Sequence, residues 1–503
     1  MFTFLQFSLL ALGLSVAVEG NHLLSLKSPF QHSRANLKTR HGDSLFSRDV
    51  PLPDIDISLA RLGSEMLTST ATSEEEEGMS PVHYLAVHPR VDHAQSLAER
   101  KYVFMHVRMQ SVGIDAVAMN IGGDQWQTDQ LYSAYAQAHK TSIKLFISFD
   151  YTAFPCDTAE TIRVASLFMD HPAQFKVAGR PMISSYSGVC LGVDGWKAVR
   201  SSTGGFLMPF IYGEDYQDLR EGRVFGFFDS WYWVLMIPDR PSMIDIVRKS
   251  AIFSVTCGAN DAILLTDMDI LGKRYATTVS GGIYTHYDYK NFYLRGEDWL
   301  LASRWEQLFD MRDQLTFVEM VTWNDYGESD YFGPLTSGVQ PTGTTWATGF
   351  PHEAWLDMSK YYIHAFKTGH WPAVVVNEVF FWCRPHPARV NAMNDPLGKP
   401  SGWDWGRDAV WIVVFCASSH CEVDILMGSR QQTFTGLSRG VSKVKMDLGA
   451  DDAGPITVKM FTFIATPAGP GRRVQVAEHS TQGAFEFEQS TQLWRGSGCD
   501  QAG

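Results

Sequence analysis

Acidic residues stand where apolar runs end in this chain: Asp124 after IDAVAMNIGG, Asp150 closing IKLFISFD, Asp229 after RVFGFF, and Asp325 with Glu328 after VEMVTW. No HExxH, P-loop or EF-hand pattern accompanies them, and no His/Cys cluster has zinc spacing, so no metal is expected. Carboxyl groups that converge without metal ligands suit glycosidic cleavage. One carboxylic acid protonates the leaving oxygen, while a carboxylate activates water or attacks the anomeric carbon. Asp325 and Glu328 lie three apart in WNDYGES (Trp323–Ser329), a spacing that lets one short loop aim both at one cavity. Spacing does not give the carboxyl–carboxyl distance, nor which group is acid and which base. Helix capping after a strand stays open for each, since Asp and Glu commonly do that too. Trp126, Trp231, Trp233 and Trp323 near the same run ends could stack on sugar rings or pack in the core. Tyr284, His286 and Asn324 could contact hydroxyls, although a lone histidine is more often structural.

The elements that must position these groups follow from the texture of the chain after Val82. Short apolar runs alternate with helical stretches: VHYLAV, IDAVAMNI, IKLFISFD, RPMISSYSG, GFLMPFIY, RVFGFFDSW, a run near Ala276–Tyr287 and LTFVEMVTW. Such strand–helix repetition over roughly 290 residues implies a parallel sheet covered by helices, of a size suited to an α/β (β/α)8 TIM-type barrel. A doubly wound sheet competes less well, because no G-x-G-x-x-G follows a strand. After Trp371 the pattern turns to strands (VVVNEVFFW, AVWIVVFCA, CEVDILMG, QQTFTG, SKVKMDLG, ITVKMFTFIA), as for an appended β-sandwich. GLSRG, at 436–440, has the form of a nucleophile elbow but no helix follows it, so a turn is expected.

Composition narrows the class. Across 503 residues, 42 basic against 55 acidic side chains give a net charge of −13, which makes nucleic acid or an anionic membrane surface a poor partner. Hydrophobic residues at 45% and charged residues at 19% fit a packed globular protein. The uncharged run Phe2–Val18, followed by small residues, reads as a signal peptide over 1–20 of a secreted chain with no membrane segment in its mature form. Residues 21–78, with the acidic run Glu74–Glu77, read as a flexible leader or propeptide. Seven cysteines suit an oxidising compartment and leave at least one unpaired, and N-x-S/T sequons are absent.

WNDYGES together with the preceding FVEMVT resembles the signature of the fungal α-1,3-glucanases, or mutanases, of glycoside hydrolase family 71. GIDAVAMNIGGDQW, KLFISFD, YTHYDYKNF, EDWLLASRWEQLF and PHEAWLDMSKYYIHAFKTG agree in order. The resemblance runs from about residue 82 to about 480. It implies a catalytic barrel over 79–370, a β-sandwich accessory domain over 371–503, and endo-type hydrolysis of fungal wall α-1,3-glucan with inversion and without a cofactor. A monomer whose partner is the polysaccharide is expected. The family's acidic positions fall on Asp325, Glu328 and Asp150 as catalytic groups. Asp124, Trp126, Asp229, Trp231, Tyr284, His286, Trp323 and Asn324 are then the expected substrate-binding set. The chain departs from the pattern at Val87-His88, at Ser280-Gly281-Gly282 in place of Ser-Pro-Trp, at MPFIY, at Asp330 in place of His, and in an expanded Met236–Asp269. These changes sit on strand-end loops, so altered subsites are expected.

Overall fold

The computed structural model describes residues 84–87, 98–210, 230–232, 274–294, 297–335, 346–384, 387–391, 395–449, 455–466 and 469–480. The signal and leader segments, Asp229, Trp233 and Met236–Asp269 lie outside the described residues. Two regions of different construction follow one another along the chain.

In the first, strands β1 (Tyr84–Val87), β2 (Ala116–Ile121), β3 (Lys144–Asp150), β5 (Arg180–Tyr186), β6 (Phe206–Phe210), β7 (Ser230–Tyr232), β8 (Arg274–Val279) and β11 (Phe317–Met320) pair in parallel in the order β6-β5-β3-β2-β1-β11-β8-β7. The first and last of these in sequence are neighbours, with Tyr84 opposite Phe317, and the outer two, β6 and β7, lie beside each other. This order is consistent with a TIM-type barrel. The short strand β4 (Lys176–Val177) pairs antiparallel with β5 outside that order. Helices α1 (Ala98–Ser111), α2 (Gln125–Ala138), α3 (Thr158–Ser166), α4 (Gly192–Thr203), α5 (Leu300–Asp310) and α6 (Glu353–Thr368) stand between strands or after the last one. Buried Thr128, Leu131, Ala134, Tyr135 and Ala138 recur three or four apart along α2, forming the stripe that meets the sheet. Residues of β3 and β5 are buried on both faces beyond their first position, as a parallel sheet covered by helices requires.

The run near Ala276–Tyr287 resolves into more than one strand. It splits at Ser280-Gly281-Gly282 into β8 and β9 (Ile283–Tyr287), and β9 turns into β10 (Lys290–Leu294) as an antiparallel hairpin apart from the main sheet. Gly281 is forced by packing: a Cβ there would stand 2.2 Å from Cζ3 of Trp355.

The second region is a five-stranded antiparallel sheet. It contains β12 (Glu378–Trp382), β13 (Ala409–Met427), β14 (Arg430–Asp447), β15 (Ile456–Thr466) and β16 (Gly469–Ser480). AVWIVVFCA and CEVDILMG are therefore one strand, and QQTFTG and SKVKMDLG another. GLSRG is not the expected turn: it lies inside β14, opposite a register shift between Cys416 and His420 of β13. Gly436 and Gly440 take positive φ of 72° and 118° there, which lets the strand bend without ending. The Cys416–Cys421 disulfide closes the same bend on the partner strand. Beyond it, β13 exchanges β12 for β15 as its second neighbour. Val410, Ile412 and Val414 before the bend share one core with Val423, Ile425 and Met427 after it. The alternate residues Trp411, Val413 and Phe415 enter the core of the parallel-sheet region instead. Trp299 at the start of α5 donates its indole N–H to Ile412 O at 2.9 Å, and Lys443 reaches Glu306 at 2.5 Å. The first half of β13 is thus apolar on both faces because both faces are covered.

Candidate active site

Parallel strands bring their C-terminal ends to one edge, and the loops leaving that edge carry the acids. The loop after β11 is folded by its own polar side chains. Thr322 Oγ1 accepts from Asp325 N–H at 2.8 Å and donates to Asp330 O. Asp325 Oδ1 accepts from Glu328 N–H at 3.1 Å, which caps the single 3₁₀ turn Tyr326–Glu328. Asp330 N–H returns to Asp325 O at 3.1 Å, and Gly333 N–H to Trp323 O at 2.9 Å. The short polar spacing of the motif therefore closes a loop on itself and fixes three carboxyl groups within six residues, Asp325 to Asp330.

Asp325, Glu328 and Asp330 are all buried. Glu328 forms an ion pair with Lys290 of β10, both side chains having 0% exposure. Its second oxygen, Oε2, makes no hydrogen bond among the described residues. Asp330 accepts from Ser280 Oγ at 2.7 Å, which ties the loop to the end of β8. Burial holds the Asp330 carboxyl proton well above the ordinary carboxylate range; the Ser280 bond opposes this and the neighbouring Asp325 charge adds to it. Asp330 is the acid of the group whose proton burial favours, and Glu328 the one with a cation against it.

Asp150 ends β3, buried, with Oδ1 accepting from Thr152 N–H at 3.0 Å and from Thr152 Oγ1 at 2.6 Å. The Cys156–Cys190 disulfide ties the loop that follows it to the loop after β5. Asp150 therefore shares the strand-end edge with the three-acid loop, on an anchored loop of its own.

Other expected binding residues have separate surroundings. Asp124 is exposed at the N-cap position of α2, and its Oδ2 accepts from Gln127 Nε2 at 3.4 Å. Trp126 is half-buried on α2 against the core. Trp231 lies in β7, and Asp229 falls outside the described residues. Trp323 is buried against Gly333, where a Cβ would meet its ring at 2.5 Å, so backbone covers part of this indole. Asn324 is buried, and its backbone carbonyl accepts from Tyr326 N–H at 2.9 Å. Tyr284 is buried with its ring stacked on His286 at 6.2 Å, and burial pushes its phenol proton far up. His286 Nδ1 lies 2.8 Å from Asn291 Oδ1, and Nε2 lies 3.1 Å from Asp395 Oδ1. Asn291 turns its Nδ2 toward Leu397 O and Gly398 O, which leaves Oδ1 for the imidazole. With both nitrogens engaged, His286 joins the hairpin to segment 395–398 rather than presenting a free nitrogen to a sugar.

Sequence reasoning missed Lys290 and Ser280 as members of the site and noted Asp330 only as a departure. Lys290 lies 38 residues from Glu328, so no local spacing signals the pair. Among the described residues no group of three or more His, Cys, Asp or Glu could hold a metal ion.

A family model described as glycosyl hydrolase family 71 matches residues 91–476. A glucan endo-1,3-alpha-glucosidase of Schizosaccharomyces pombe is 32% identical over 379 residues, covering 72% of this chain and 84% of that protein. A mutanase of Penicillium rubens is 29% identical over 345 residues, covering 64% and 74%. An ascus wall endo-1,3-alpha-glucanase of S. pombe is 23% identical over 393 residues, covering 72% and 86%.

Proposed function

Because the chain belongs to glycosyl hydrolase family 71, we propose that it is a secreted endo-acting hydrolase of the α-1,3-glucosidic bonds of fungal wall α-1,3-glucan. The observation that carries this reading is the self-closed loop after β11, which holds Asp325, Glu328 and Asp330 together at the strand-end edge that Asp150 also reaches. Hydrolysis needs one carboxyl group that gives a proton to the leaving oxygen and one carboxylate that takes a proton from water. Asp325 and Glu328 are assigned those two tasks, with Asp150 as the third acid and inversion as the outcome. The same membership supports a (β/α)8 barrel over 79–370 and a β-sandwich over 371–503 as the full architecture. Polysaccharide is the partner, and the mature protein is a monomer.

Two observations favour a second reading, a wall-binding protein of the same fold without activity. Glu328 is committed to a buried ion pair, and the acid that follows the motif serine replaces the family's usual histidine. Digestion of insoluble α-1,3-glucan separates the two. Release of oligosaccharides supports the hydrolase, and their size distribution reads endo action. Sedimentation with the polymer and no reducing sugar supports the binding protein. The anomer first formed, followed by NMR, reads inversion; recovery from culture medium with a mature N-terminus near Gly20 reads secretion.

A further inference from the structure

The hairpin β9–β10 sends one cation to the acid loop. Lys290 and Glu328 are each fully enclosed, and their contact joins two elements that meet only in the folded chain. Near its turn the hairpin is also held by His286, whose ring nitrogens lie against Asn291 and Asp395. Lys290 Nζ also lies 5.9 Å from the centre of the Phe292 ring. The hairpin is therefore fixed at two points, and the ammonium has little freedom to leave the carboxylate.

We propose that Lys290 is a positioning residue that keeps Glu328 in its ionised form, so that Glu328 takes the proton-accepting task in the reaction. This deepens the hydrolase reading and rests on it. An adjacent ammonium favours the carboxylate over the carboxylic acid, and it does so strongly where water is excluded. Glu328 Oε1 is spent on Lys290, while Oε2, free of hydrogen bonds among the described residues, is the acceptor that remains for a water proton. The titratable groups carried by the surrounding elements include Asp325, Tyr326, Asp330 and Tyr331 on the same loop, Tyr284, His286 and Tyr287 on β9, Tyr293 on β10, and His352, which stacks on Tyr331. A negative charge on Asp325 or Asp330 would oppose ionisation of Glu328; Lys290 is the group in direct contact that favours it.

The test compares Lys290→Met and Lys290→Arg with the unaltered protein over a pH series on α-1,3-glucan, after circular dichroism confirms folding. Losing the ammonium raises the proton affinity of Glu328, so the acid limb of kcat should move to higher pH by about one unit or more, a tenfold loss at the acid edge, with KM little changed. Lys290→Arg keeps the charge and should keep the limb in place. A folded Lys290→Met with an unmoved acid limb overturns the proposal. Infrared difference spectra provide a reading that needs neither Lys290→Met nor the right substrate. From pH 5 to 7 (about the range of peak stability) the unaltered protein should show no protonated-carboxyl band that Glu328→Gln removes, and such a band also overturns the proposal. Failure to cleave glucan would overturn the hydrolase reading by itself, whereas the infrared result bears on the ionisation of Glu328 whatever the substrate.

Discussion

The hairpins β9–β10 and β13–β14 use one antiparallel ladder for two purposes. In the first, five facing pairs run from Lys290 and Tyr287 to Leu294 and Ile283, and buried Thr285, His286 and Lys290 lie among them. In the second, Val410, Ile412 and Val414 alternate with Trp411, Val413 and Phe415, every one of them buried. Apolar alternation stabilises the long hairpin wherever a covered face is supplied, since burial is roughly additive and indifferent to the partner's identity. The buried polar and charged groups of the short hairpin, His286 and Lys290, are tolerated because Asp395 and Glu328 arrive from elsewhere in the chain. A hairpin that positions chemistry is therefore tied to a few specific partners, and one that gives cohesion is tied to many interchangeable ones.

Mutation should expose that contrast most strongly at the acids beside the short hairpin. Asp325→Asn, Glu328→Gln and Asp150→Asn should each lower glucan hydrolysis by about 10²–10⁴-fold, and double variants should lose less than the product of the singles. Urea unfolding should also show Glu328→Gln destabilised by about 3–5 kcal/mol, because Lys290 is then buried without its counter-charge.

In the long hairpin the expected loss is of stability alone. Trp411→Ala should cost about 3–5 kcal/mol in urea titrations while activity per folded molecule is retained. A kcat reduced tenfold in that variant would mean the C-terminal sheet also positions the acids. At the bend, replacing Cys416 and Cys421 together by serine should cost about 2 kcal/mol, the chain-entropy value for so short a loop.

Asp330→Asn sharpens the comparison through pH. The Asp330 carboxyl is raised in the folded protein, so folding favours its protonated form. That contribution is complete below the ordinary carboxylate value, 3.8, and declines as pH rises toward the folded value. The variant and the parent should therefore unfold alike near pH 3.5, about where Asp is already mostly protonated. Above it the variant should become relatively more stable, by up to about 1.4 kcal/mol per pH unit. A difference independent of pH would show that Asp330 is ionised in the fold. The smallest effect is expected at Asp124→Asn, an exposed position where activity and stability should stay within about twofold.

The strand ends bearing Asp150 and Asp325 were legible because parallel strands advertise themselves as apolar runs of limited length, and the residue after each run must lie at the sheet edge. The acid loop was legible as a motif, although its closure through Thr322 was not. Merging of four apolar runs into β13 and β14 was hidden because two positive-φ glycines and a disulfide can either end a strand or bend it. The β16 strand (Gly469–Ser480) escaped notice as well, its Gly-Pro-Gly start and two arginines resembling a loop more than a strand.

Sequence alone determined the alternation of strand and helix, the change to antiparallel strands after Trp371, the carboxylates at the strand ends and the family that their motif marks. Those are local matters: periodicity, chain-breaking residues and short-range spacing act within about ten or twenty residues. Tertiary structure alone decided that Lys290 meets Glu328, that Ser280 holds Asp330, that His286 spends both nitrogens on protein partners, and that one strand feeds two cores. Each of these depends on residues far apart in sequence meeting where water is excluded, and a buried charge is stable only when that meeting occurs.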